Sequence, residues 1–134
     1  MKINSDKLHF GSNKEKVYSF LSNFDNFEKL MPEQVTNWSS NSESCTFTVQ
    51  GMATITLKFS KKEPYSLLEV VPEGKSPISF SMQFQLEDDS ADSQRSSGSF
   101  FIDANMNPMV AMVAKRPLEN LVKVMSEKMN EIFR

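Results

Sequence analysis

Between residues 35 and 106 the apolar residues of this chain recur with a period of two, and on both sides of that block they recur at helical spacing. Cys45, Phe47 and Val49 alternate with Thr46, Thr48 and Gln50. Ala53, Ile55, Leu57 and Phe59 alternate with Thr54, Thr56 and Lys58. Ile78, Phe80, Met82, Phe84 and Leu86 alternate with Ser79, Ser81, Gln83 and Gln85. Such alternation means that one sheet face is buried and the other is wet or lightly covered. Weaker strands are expected near residues 35–40, 65–71 and 97–105, with turns at Gln50-Gly51 and over residues 61–64, 72–77 and 87–97. No connection is long enough to hold a crossover helix, so the strands should pair as an antiparallel meander.

The flanks follow helical rules. Residues 2–11 suit one strand ending at Gly11. Ser12 with Glu15 forms a capping box, and Val17, Phe20, Leu21 and Phe24 make one apolar stripe. Asp25 and Glu28 repeat the cap pattern before a second short stripe of Phe27, Leu30 and Met31, which Pro32 stops. At the other end Asn107 is a good N-cap and Pro108 a favoured first helical residue. Over residues 108–134, Val110, Ala114, Pro117, Leu118, Leu121, Met125, Met129 and Ile132 share a broad face. Arg116, Glu119, Lys123, Glu127, Asn130 and Arg134 fall opposite, so this helix packs along something apolar. Pro117 lies inside it and is expected to kink or locally open it.

Composition narrows the function classes. A length of 134 residues suits a single domain spanning 1–134, and at that size roughly two-thirds of the chain's surface is buried on folding. One cysteine, Cys45, excludes an intrachain disulfide framework. With 15 Lys+Arg against 17 Asp+Glu and a net charge of −2, the chain lacks the basic stripe of a nucleic-acid binder. The longest apolar run, residues 109–114, is far short of the roughly 20 residues of a membrane span. The polar start MKINSDKLHF does not read as a signal peptide, so a cytoplasmic location without stable membrane insertion is expected. The chain nevertheless holds 11 Phe and 9 Met at a mean hydropathy of −0.41. Phe47, Phe59, Phe80, Phe84, Met82, Met125 and Met129 share the inward phases of sheet and helix.

The order of strand, two short helices, about six further strands and a long C-terminal helix resembles the helix-grip fold of the START-related superfamily, often called SRPBCC. The resemblance spans essentially the whole chain. It is strongest in VYSFLSNFDNFEKLMPEQVTNW (residues 17–38) and NMNPMVAMVAKRPLENLV (residues 105–122), which look similar to small bacterial members. The fold class it implies is α+β: a curved antiparallel sheet of about seven strands wrapped around the long C-terminal helix, with two short helices after the first strand. It also implies an apolar cavity between sheet and helix, whereas periodicity alone shows only that the two faces pack together. Phe47, Ile55, Leu57, Phe59, Phe80, Met82 and Phe84 would line that cavity with Val113, Pro117 and Leu121. The expected function is binding, transport or sequestration of an apolar or amphipathic small molecule, such as a lipid, a quinone-like or a polyketide-like compound. The expected protein is a monomer or weak homodimer that needs no cofactor. The alternatives are a cyclase/aromatase-like enzyme using the same cavity and an interaction module resembling the heat-shock-protein activators.

Candidate chemistry is sparse. His9 is the only histidine, so no histidine pair can bind a metal, and its phase suggests the face opposite Leu8 and Phe10. Cys45 lies on the apolar phase of its strand and reads as a small buried hydrophobe. The run from Asp103 to Asn107 imitates a calcium loop, but Pro108 and Ala114 stand where that loop needs glycine and glutamate. Glu87, Asp88, Asp89 and Asp92 read as a solvated acidic loop, and Lys128 as a cation that snorkels from the apolar arc of the last helix. Glu69 and Arg95 lie on segments whose phase is open. No catalytic residue of the superfamily maps onto this chain.

Overall fold

A computed structural model describes residues 1–50, 53–74, 79–89 and 91–134. Gly51, residues 75–77 of the expected 72–77 turn and Ile78 lie outside the described residues. The chain opens with strands β1 (Lys2–Asn4) and β2 (Leu8–Phe10), then helices α1 (Lys14–Leu21) and α2 (Phe24–Phe27) and a 3-10 turn over Glu28–Leu30. Six strands follow: β3 (Val35–Ser40), β4 (Ser44–Val49), β5 (Ala53–Glu63), β6 (Leu67–Pro72), β7 (Phe80–Asp89) and β8 (Asp92–Ala104). Helix α3 (Pro108–Ile132) closes the order. The eight strands form one curved antiparallel sheet in the order β1-β8-β7-β6-β5-β4-β3, with β2 also paired to β8.

The strands from β3 to β8 form the expected antiparallel meander, with Phe47 opposite Ile55 and Met82 opposite Ile102. The segment expected as a single strand is two. Asn4 pairs with Phe101 and Leu8 with Gly98, so four steps on one strand meet three on the other. Ser5 absorbs the extra residue: its N–H donates to the Phe100 carbonyl and its Oγ accepts from the Phe100 N–H, both at 2.9 Å. The hairpin between β7 and β8 is also longer than its polar sequence suggested. Glu87, Asp88, Asp89 and Asp92 are strand residues. Lys7 pairs with Glu87 at 2.6 Å and Lys14 with Asp88 at 3.3 Å, while Asp89 and Asp92 accept N–H bonds from Ala91 and Gln94 within the turn.

Local side-chain bonds set the helix starts. Asn13, rather than Ser12, caps α1 by accepting the Lys16 N–H, and Asn23 caps α2 by accepting the Asp25 N–H. Asn107 caps α3 as expected, accepting the Val110 N–H at 2.9 Å with Pro108 at the first position. Helix α3 runs unbroken through Pro117, and its buried line is Ala114, Leu118, Val122, Met125 and Met129. Ile132, expected on that face, is exposed. The core beneath is aromatic: Phe24 stacks on Phe59 at 4.2 Å, and Phe84 meets Phe100 at 4.7 Å. Phe133 packs edge-on against Phe10 and Phe20. Gly11 makes that closure possible, because its N–H donates to the Phe133 carbonyl at 2.7 Å and a Cβ there would collide with the Arg134 carbonyl.

Candidate functional site

Helix α3 makes its closest backbone approaches to β1, β2, β8 and the 3-10 turn. On its other flank an apolar pocket of about 270 Å³ opens between the middle of α3 and strands β4, β5 and β7. Its floor is the inward phase of the sheet: Phe47 and Val49 from β4, Ile55 and Leu57 from β5, and Phe80 and Met82 from β7. Its roof is Pro117, Leu118 and Leu121. Pro32 and Val35 close one side.

Seven of the ten residues singled out from the sequence therefore meet at one place: Phe47, Ile55, Leu57, Phe80, Met82, Pro117 and Leu121. The other three lie elsewhere. Phe59 sits between Phe24 and Phe27, with the Lys62 ammonium 4.5 Å from its ring centre. Phe84 belongs to the closed cluster with Phe10 and Phe100. Val113 is 60% exposed, because it lies about 100° around the helix from Ala114, the residue that faces the sheet.

The mouth carries groups that sequence reasoning missed. Gln34, Gln50, Arg116 and Asn120 line it. The Asn120 amide donates to Gln34 Oε1 at 3.3 Å and ties the helix to the segment before β3, while the Gln50 N–H donates to the Gln34 carbonyl at 2.9 Å. Arg116 read as solvent face from helical phase, and nothing in the sequence set Gln34 beside Asn120. Trp38 was equally hidden. A bulge places both Asn37 and Trp38 opposite Phe47, with Asn37 at φ 56°. The extra residue keeps Trp38 inward, where its ring stacks on Phe47 at 5.3 Å and 15°. Its indole N–H donates to Ser40 Oγ, which in turn donates to the Asp25 carboxylate.

The remaining reactive groups stand apart from the pocket lining. Cys45 is buried opposite Leu57, and burial pushes its thiol up to about 12 despite a bond from the backbone of Leu57. Glu69 accepts from the Gln83 amide at 2.7 Å and from Ser60 at 2.8 Å, and the Gln83 bond chiefly holds its carboxyl below the usual range. His9 and Arg95 are exposed, and Lys128 is half-buried. Among the described residues no cluster of three His, Cys, Asp or Glu side chains is placed to hold a metal, and no helix is long and apolar enough to cross a membrane.

No protein-family model and no curated protein matches this sequence. Solved structures do match. An uncharacterised protein from Bacillus thuringiensis superposes with a TM-score of 0.73 at 9% identity, over 99% of this chain and 98% of that one. A START superfamily protein from Mycobacterium smegmatis superposes with a TM-score of 0.68 at 12% identity, over 98% of each chain. This chain has the START-like helix-grip fold. The di-domain aromatase/cyclase BexL carries the same helix-grip architecture, with a TM-score of 0.70 at 10% identity over 98% of this chain and 45% of BexL. In the present helix-grip chain, the grip is looser over β4 and β5 than over β8, and the looseness is the pocket.

Proposed function

We propose that this protein is a cytoplasmic binding protein that encloses one small apolar or amphipathic molecule between its sheet and α3. The observation that carries this reading is the apolar pocket of about 270 Å³ with a polar mouth, since small-molecule sites pair an apolar lining with a few placed polar groups. An engineered cavity of about 150 Å³ holds benzene, so the space suits a bicyclic aromatic or a medium-length acyl chain of roughly twice that bulk. At about 0.4–0.5 kcal/mol per ligand atom, a molecule of about 13 atoms gains roughly 6 kcal/mol, which corresponds to a Kd of tens of micromolar. Lipid-like, quinone-like and polyketide-like compounds all supply such a body. A cyclase-like reading needs an acid or base at the substrate, and the described lining residues include no carboxylic acid, histidine or thiol. Binding without chemistry is therefore the better reading, and one copy of the chain suffices to build the site.

The test is titration with the neutral probe N-phenyl-1-naphthylamine, read by probe emission and by the fluorescence of Trp38, the only tryptophan. One probe per chain is expected, with probe emission lost in Leu121→Trp, whose larger ring fills the space under α3 while circular dichroism confirms the fold; the Trp38 signal is read in the wild type alone. No binding, or equal binding by both proteins, would overturn the reading.

A further inference from the structure

Resting on the binding reading above, we infer that the ligand carries an anionic end, and that Arg116 with Gln34 receives it as a carboxylate at the pocket mouth. Among the described lining residues Arg116 is the one charged side chain. It forms no ion pair among the described residues, although Glu119 follows it by three positions on the same helix. A guanidinium presents donors only, in a planar fork that matches the two oxygens of a carboxylate. The second donor is fixed by the first polar contact of the mouth. Gln34 Oε1 already accepts from Asn120, and the amide N–H₂ of Gln34 donates to no partner among the described residues. Its backbone carbonyl accepts from the Gln50 N–H, which tethers the segment that carries the amide. The rim thus offers donors without a competing carboxylate among its described members, above a floor that is entirely apolar. A neutral hydrocarbon would leave those donors to water. A cationic amphiphile would meet a like charge. A molecule with an apolar body and one carboxylate satisfies both ends, and its body is either an acyl chain or a fused aromatic.

Isothermal titration at about 50 mM salt, where surface charges are less screened than at physiological strength, separates the possibilities. The probes are decanoate against decan-1-ol for the acyl body, and 2-naphthoate against 2-naphthol for the aromatic one. At least one carboxylate is expected to bind about 10-fold tighter than its alcohol, and the pair that shows this identifies the body. Arg116→Gln should bring that carboxylate down to the affinity of its alcohol while moving the alcohol less than 2-fold. Arg116→Lys should keep only part of the preference, because a point charge lacks the fork. Equal affinities within both pairs, tighter binding of decylamine, or a preference that survives in Arg116→Gln would each overturn the inference while leaving the pocket reading intact. Failure of all five probes and of the neutral naphthylamine would instead remove the binding reading itself.

Discussion

Phe24 and Phe47 are both buried, at 0% and 3% exposure, yet replacing each by alanine should have different costs. Phe24 is closed in on every side, with Phe59 at 4.2 Å and Phe27 at 4.9 Å. Losing its ring forfeits about 2 kcal/mol of transfer energy. A residual void of about 60 Å³ adds roughly 1.4 kcal/mol at ~24 cal/mol per Å³, and lost aromatic pairing adds about 0.5–1.5 kcal/mol. Phe24→Ala should therefore cost about 4 kcal/mol. Phe47 has Trp38 on one side and the pocket on the other. The space vacated by Phe47→Ala opens into the existing pocket and creates no new closed void, so the void contribution vanishes; transfer and the lost stack on Trp38 remain, about 3 kcal/mol in all. Urea denaturation at matched m-values measures both changes. In thermal scans the remaining gap of about 1.4 kcal/mol should separate the two midpoints by roughly 4–7 °C for a chain of this size. Equal destabilisation would refute the reasoning, because it would mean that Phe47 is packed on both sides and that the pocket does not exist in solution.

Two further outcomes are expected. Gly11→Ala should destabilise by about 1–3 kcal/mol, as overpacking does, because the added methyl meets the Arg134 carbonyl and strains the Gly11–Phe133 bond; thermal denaturation of the single variant checks it. Above about pH 9 the unfolded chain gives up the Cys45 proton while the folded chain, with its thiol pushed up to about 12, keeps it. Stability should then fall with rising pH by at most about 1.4 kcal/mol per unit until the folded thiol also titrates. Urea midpoints at pH 8 and pH 10 should diverge in the wild type more than in Cys45→Ala.

Alternation made the sheet readable because a half-buried strand must place one apolar residue at every second position, and Phe80 through Leu86 do so without exception. The start of α3 was equally legible, since Asn107-Pro108 satisfies and omits the amide groups that a helix N-terminus leaves free. The caps of α1 and α2 were misplaced by one and two positions, because asparagines next to the favoured pattern compete for the same amides. At the site, local phase could place Phe47 or Ile55 on the inner face but could not say which inward residues stand under open space. That depends on how far α3 leans toward β8, and the lean is set by packing among residues distant in sequence. Phe59 and Phe84 share the phase of Ile55 and Met82 and still lie away from the pocket, Phe59 half-buried under α2 and Phe84 buried beside β2. The polar mouth was illegible for the same reason, because Gln34 and Asn120 are 86 residues apart.

That separation has a counterpart at the other edge of the sheet. Strands β1 and β2 complete the sheet by pairing with β8, and Ser5 and Phe100, joined at the bulge by one backbone bond and one bond to the Ser5 hydroxyl, are 95 positions apart. Nothing local stabilises two strands of three residues each. Their ladder partners all lie on β8, and the ring of Phe10 is covered by Phe133 from the end of α3. Closing a loop of that length costs entropy that grows only slowly with length, but it must be spent before any contact is made in return. Pairing over such a separation favours assembly in which neighbouring hairpins form before the N-terminal edge, as in folds rich in non-local contacts.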